Sequence, residues 1–393
     1  MRSGIDRRAM ATLSGGHLAA DFASGSVPAL IPFLTDRFAL SYALAALLLL
    51  AATISSSLVQ PLFGLWSDRR GALWLLPGGV LVAAVGVAGA AVSPLYPLTL
   101  VLVLAGGLGV AAFHPEGAKH AAHASGRRRA SGMSYFNIGG NTGYALGAFA
   151  TGQLVVAFGL WGGAVAMLPV LAVGIALARE AARLPALAAG TEADEDAGGD
   201  DRAAMTLLAA VIALRSVAWF ALLAFVPLWV VSRGHSKADG NRLLFLMLLA
   251  GAVGTLLLGP VADRIGLRRT LALTQTLVTP AVLAFLYAGG VVGTLALMLV
   301  GVCTVGSFGV TMVLSQLYLP RHVGMASGLS VGLAMGIGGV AAVVLGAVAD
   351  AVDLRVALTI AAAAPALGVV LCLRLPAPRS RPRAAPQTVS SPT

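Results

Sequence analysis

Charge is what this sequence has least of. Only 11% of its 393 residues are Asp, Glu, Lys or Arg, against about 25% in a typical soluble domain. So little polarity cannot cover a globule of this length, which excludes a conventional water-soluble fold. Lysine is scarcer still. Of 26 basic residues only Lys119 and Lys237 are Lys, a bias expected of a GC-rich bacterial genome. The two cysteines, Cys303 and Cys372, lie inside apolar runs, so no disulfide framework is expected. The chain also lacks a phosphate-cradling P-loop, a G-x-S-x-G nucleophile turn and any Cys/His spacing typical of a metal site. An enzyme or ATP-driven pump is therefore disfavoured, and no cofactor or metal is expected. A receptor would normally add a sensory domain.

What fills the chain is apolar. Hydrophobic residues make up 58%, and mean hydropathy is +0.89. About 20 mostly apolar residues cross a bilayer as a helix. Windows of that length predict twelve spans, at roughly 11–34, 42–64, 73–93, 97–121, 132–157, 160–178, 205–231, 243–262, 269–289, 293–317, 326–349 and 355–374. Each must be helical, because lipid offers backbone N–H and C=O groups no partner. The Arg-led start resembles a signal peptide, but its apolar run is too long and carries Asp21, so it reads as the first span.

The formal net charge of +10 follows a topological pattern. With the N-terminus inside, 20 Lys and Arg fall on the inner side and 5 on the outer side, with Arg215 within a span. This bias predicts a multi-pass protein of the bacterial inner (plasma) membrane with both termini cytoplasmic. It also replaces nucleic acid as the explanation of the positive charge. Residues 184–203, with Glu192, Asp194, Glu195, Asp196, Asp200 and Asp201, form a solvated acidic cytoplasmic linker by composition. The expected organisation is an N-terminal six-helix bundle (1–183), that linker, a C-terminal six-helix bundle (204–375) and a Pro, Arg and Ser-rich disordered tail (376–393).

An internal repeat supports this division. Gly64-Leu-Trp-Ser-Asp68-Arg69-Arg70-Gly71 recurs 195 residues later as Gly259-Pro-Val-Ala-Asp263-Arg264-Ile-Gly266. Pro32 and Pro227, and Phe113 and Phe308, match at that same offset. The G-x-x-x-D-R-x-G loops resemble the signature of the major facilitator superfamily. That resemblance implies two pseudo-symmetric six-helix bundles, all α, operating by alternating access as a monomer in the bilayer. Physically, the glycines permit close helix approach, and the Asp can cap a helix N-terminus or pair with Arg. Gly64, Asp68, Arg69, Gly71, Gly259, Asp263, Arg264 and Gly266 are therefore expected gate residues. The alternative is that they serve only as turn formers and orientation signals.

A narrower resemblance rests on Gly16-His17-Leu-Ala-Ala-Asp21, Pro28-Ala-Leu-Ile-Pro32, Ala112-Phe113-His114-Pro115, Gly139-Gly140-Asn141-Thr-Gly143 and Leu214-Arg215-Ser216. These segments resemble the fosmidomycin-resistance subfamily, which implies proton-coupled export of small drug-like or anionic molecules. Efflux antiporters usually carry Gly-Pro late in the fifth helix, whereas here Gly147 precedes Ala148.

Charges within spans survive where they face a cavity and a partner. Asp21, with His17 one turn before it, is expected to carry protons together with His114 and Glu116. Glu116 shares a face with His120. Arg215 is expected to hold an anionic substrate group or to pair with Asp21 across the cavity, the alternative being a permanent structural ion pair. Asn137, Asn141 and Tyr144 share a face at i, i+4 and i+7 and join Tyr135, Trp219 and Thr311 as substrate candidates, with Ser307 as a weaker one. Gly139, Gly140, Gly143 and Gly147 read as a close helix contact. The expected partners are a small-molecule substrate, protons and lipid. Uptake of an organic anion by proton symport remains open beside export.

Overall fold

A computed structural model describes residues 4–70, 72–126, 129–181, 183–184, 199–321 and 323–377; for 67–70, 129–131, 323–325, 327, 328, 331 and 333 only the backbone is described. The sequence-predicted linker and tail therefore lie largely outside the described residues. Among the described residues all regular structure is helical. The N-terminal set is α1 (Arg7–Phe38), α2 (Tyr42–Ser57), α3 (Gln60–Arg70), α4 (Leu75–Val92), α5 (Tyr96–Ala124), α6 (Arg129–Phe158), α7 (Trp161–Ala166) and α8 (Leu168–Ala181). The C-terminal set is α9 (Arg202–Ser232), α10 (Lys237–Ile265), α11 (Leu267–Ala288), α12 (Gly290–Tyr318), α13 (Val323–Ala351) and α14 (Leu354–Arg374).

These helices make twelve crossings, as expected. The second crossing is interrupted between α2 and α3, and the sixth between α7 and α8. Eleven crossings are long and apolar enough to span a membrane by composition alone. The twelfth, α6, is diluted by glycine and small polar residues. Those glycines let it lie against α1. A Cβ at Gly139 would stand 3.1 Å from the Ser14 carbonyl carbon, and one at Gly147 would stand 2.8 Å from that of Phe22. Between helices in lipid such close packing supplies van der Waals contact that water exclusion cannot.

Each half packs as a bundle: α1 on α5 and α6, and α4 on α5 and α8; in the second half α10 and α11 on α12, and α14 on α9 and α11. The halves meet chiefly through α2 on α13 and α6 on α10. These contacts gather at the end opposite the chain termini, called distal here. The Phe149 and Phe245 rings meet at a tilt with centroids 4.8 Å apart, Asn241 Nδ2 donates to Ala29 O at 3.2 Å, and Lys237 pairs with Asp36. At mid-depth Ser57 Oγ donates to Met335 Sδ at 2.6 Å. Toward the end bearing the termini (proximal), Gly259, Pro260, Asp263 and Arg264 are exposed. Among the described residues the halves are therefore joined distally, and no comparable helix contact joins their proximal ends.

Candidate functional site

The site begins with packing on α1. Gly16 leaves room for Phe113 of α5; a Cβ there would stand 2.9 Å from that ring. His17 stacks on Phe136 of α6, with centroids 4.1 Å apart, and meets His114 of α5 edge-on at 5.0 Å. One turn after His17, Asp21 receives both imidazoles. His17 Nε2 is 3.2 Å from Asp21 Oδ2, and His114 Nε2 is 3.3 Å from Oδ1. Gly140 of α6 makes this approach possible, because a Cβ there would lie 2.6 Å from Asp21 Oδ2 and intrude on the His17 ring.

The other imidazole nitrogens settle the proton count. His17 Nδ1 lies 2.8 Å from Phe136 O, and His114 Nδ1 lies 2.9 Å from Val110 O. A carbonyl only accepts, so each Nδ1 carries the hydrogen. In a neutral ring Nε2 would then be an acceptor facing a carboxylate, another acceptor. Each His–Asp contact thus forms a hydrogen bond only when a proton lies between its atoms, and the cluster accommodates up to two. Side-chain exposures of 24% for His114 and 18% for Asp21 leave it accessible. The same three groups, with Asp21 and His114 93 positions apart in the chain, also offer donor atoms within 4.8 Å of one another, a set able to hold a metal ion. Linear spacing concealed that set.

Glu116, the fourth expected proton carrier, stands apart. Two residues after His114, it projects from another face of α5. It is only 1% exposed, with Lys119 Nζ at 3.0 Å and His120 Nδ1 at 3.4 Å.

The expected Asp21–Arg215 pair is not made. Arg215, 2% exposed, is enclosed in its own half, where Nη1 donates to Ser307 Oγ at 2.7 Å and the guanidinium lies 4.5 Å from the Phe308 centroid. No carboxylate pairs with it among the described residues, and Nη2 has no hydrogen-bond partner there. The pairing fails because Asp21 is engaged by His17 of its own helix and His114 of α5 in the N-terminal half, while α12 engages Arg215 in the other half. Ser307, a minor candidate in the sequence, is its principal partner.

The remaining candidates divide by exposure. Tyr135 is 56% exposed, Asn137 is exposed, and Asn141 and Tyr144 are half-buried. Trp219 and Thr311 are buried instead, and Thr311 Oγ1 donates within its own helix to Phe308 O at 2.9 Å. Among the gate candidates, Gly71 and the side chains of Asp68 and Arg69 lie outside the described residues. Asp263 was expected to cap a helix or pair with Arg. It sits exposed near the end of α10, while α11 is preceded by Gly266, φ +92°, which offers no side-chain cap. Neither Asp263 nor Arg264 forms an ion pair among the described residues. Gly64 is half-buried against Pro115, and Gly259 and Gly266 are exposed with open space around them.

Comparison with known proteins agrees with this architecture. The family model described as Major Facilitator Superfamily matches residues 13–342 and, in a second match, 208–391. An uncharacterised MFS-type transporter, YfnC, of Bacillus subtilis (strain 168) is 31% identical over 325 residues, 80% of each chain. The fosmidomycin resistance protein of Escherichia coli (strain K12) is 28% identical over 328 residues, 81% of each chain. Among solved structures, a bacterial homologue of the human lysosomal transporter Spinster, inward-facing and occupied, superposes with a TM-score of 0.78 at 14% identity, covering 95% of this chain and 97% of that one. Twelve helical crossings in two bundles, the doubled loop motif and the family match over most of the chain make this protein a multi-pass membrane transporter of the major facilitator superfamily.

Proposed function

We propose that this transporter exports a small organic solute, drug-like or anionic, by proton-coupled alternating access across a bacterial inner membrane, with both termini cytoplasmic. The observation that carries this reading is the accessible carboxylate of Asp21 facing two imidazole Nε2 atoms, each contact requiring a proton to become a hydrogen bond. Proton occupancy would change the charge within the N-terminal bundle and so bias one state of a two-state protein. Residues 1–183 and 204–375 would rock as units about their shared seam. Similarity to a fosmidomycin resistance protein supports export and a drug-like substrate. Arg215, a buried cation without a carboxylate partner among the described residues, favours a solute bearing negative charge. That same charge suits a second reading, proton-coupled uptake of an organic anion.

Proteoliposomes containing the purified protein test the proposal. A substrate screen with and without an imposed proton gradient should find gradient-driven flux that Asp21→Asn loses while solute exchange at equilibrium persists. Wild-type coupling in Asp21→Asn would overturn the assignment of Asp21. Resistance in a hypersusceptible strain, set against uptake into vesicles, separates export from import.

A further inference from the structure

The distal seam contains a helix cap supplied by the opposite half. An α-helix begins with four N–H groups that have no intrahelical acceptor. In α2 the three that follow the cap residue Ser41 are all accounted for. Leu44 N–H donates to Ser41 Oγ at 3.3 Å, and from Ala45 N–H, which donates to Ser41 O at 2.9 Å, the regular helical bonds begin. The remaining two leave the N-terminal half entirely. Tyr42 N–H donates to Asp350 Oδ1 at 2.7 Å, and Ala43 N–H donates to Asp350 Oδ2 at 3.0 Å. Asp350 is the penultimate residue of α13, so its carboxylate spans the two halves with both oxygens engaged.

Backbone shape makes this contact possible. One turn before Asp350, Gly346 lies flush against the start of α2, where an added Cβ would stand 2.7 Å from Ala43 Cα. The helix end also carries partial positive charge, so a carboxylate is the side chain best matched to it. The nearby Lys237–Asp36 pair also joins the halves, but through a long flexible side chain. Asp350 binds main chain and therefore holds the end of α2 in one place.

We propose that Asp350 is a gate residue, whose cap on α2 holds the distal end shut and must be released before the pathway opens there. This rests on the alternating-access reading and adds to it a gate at the end opposite the doubled loop motif.

Distances between spin labels test it in the full-length protein in lipid nanodiscs. Ala39→Cys with Val352→Cys reports the distal end, and Trp66→Cys with Ile265→Cys the proximal end, with Cys303 and Cys372 replaced by Ala. The parent should show mainly short distal distances. In Asp350→Ala the long-distance population should rise about fivefold, the effect of one lost helix cap, while proximal distances shorten. Asp350→Asn keeps one acceptor oxygen and should shift less, and it carries the test if the Ala variant does not fold. Distal distances unchanged in Asp350→Asn and in a folded Asp350→Ala would overturn the gate. Failure of alternating access would look different: the two ends would never move in opposite senses, with or without a proton gradient.

Discussion

The two halves place the same scaffold around opposite chemistry. In each, the first helix packs near a phenylalanine of the fourth, Phe113 beside His17 and Phe308 beneath Arg215. Those phenylalanines are related by the 195-residue offset. The N-terminal half builds an accessible acid between two bases. The C-terminal half seals one cation against a hydroxyl and an aromatic ring. Applied at one offset, the repeat turns His114 into Gly309, Asp21 into Ser216 and Ala20 into Arg215. A duplicated fold has thus kept its packing while its titratable groups diverged, so proton handling and solute charge recognition need not share a half.

Removing the acid should break this contrast most severely. Asp21→Asn is expected to lower gradient-driven flux about a hundredfold, the scale of losing a positioned proton-transfer group. Vesicle transport against an imposed pH difference measures it. Next in size is the glycine that opens the N-terminal site. Gly140→Ala should destabilise the protein by about 1–3 kcal/mol, because its new methyl meets Asp21 and His17. Gly309→Ala, opposite His114 in the repeat, has nothing within 4 Å and should stabilise its helix by about 0.5–1 kcal/mol. Thermal melts in detergent compare the two, and equal losses would erase the asymmetry.

A subtler result is expected for Arg215→Met. An apolar side chain of similar length in place of a buried charge should leave melting unchanged or raised, while apparent affinity for an anionic solute falls about tenfold, the scale of a lost charged hydrogen bond. Unchanged affinity would remove Arg215 from solute recognition. The smallest effect should come from the surface. Arg8→Gln breaks an exposed pair with Glu180 at 3.0 Å and should leave both flux and melting within error, since solvent screens such pairs.

Sequence alone determined the solvent, the number of crossings and the doubling of the fold, because hydropathy over about 20 residues and a repeat at constant offset are properties of the chain itself. The glycine face of α6 was legible for the same reason, as four glycines on one helix record a backbone approach. His17 with Asp21 could be read as neighbours one turn apart. Tertiary structure alone decided which distant groups meet. It brought His114 to Asp21, turned Glu116 to another face of α5 and gave Arg215 to Ser307 instead of Asp21. It also joined Asp350 to the start of α2. Those outcomes depend on helix rotation and on which end of the seam is closed, quantities that a one-dimensional pattern of apolar and polar residues does not contain.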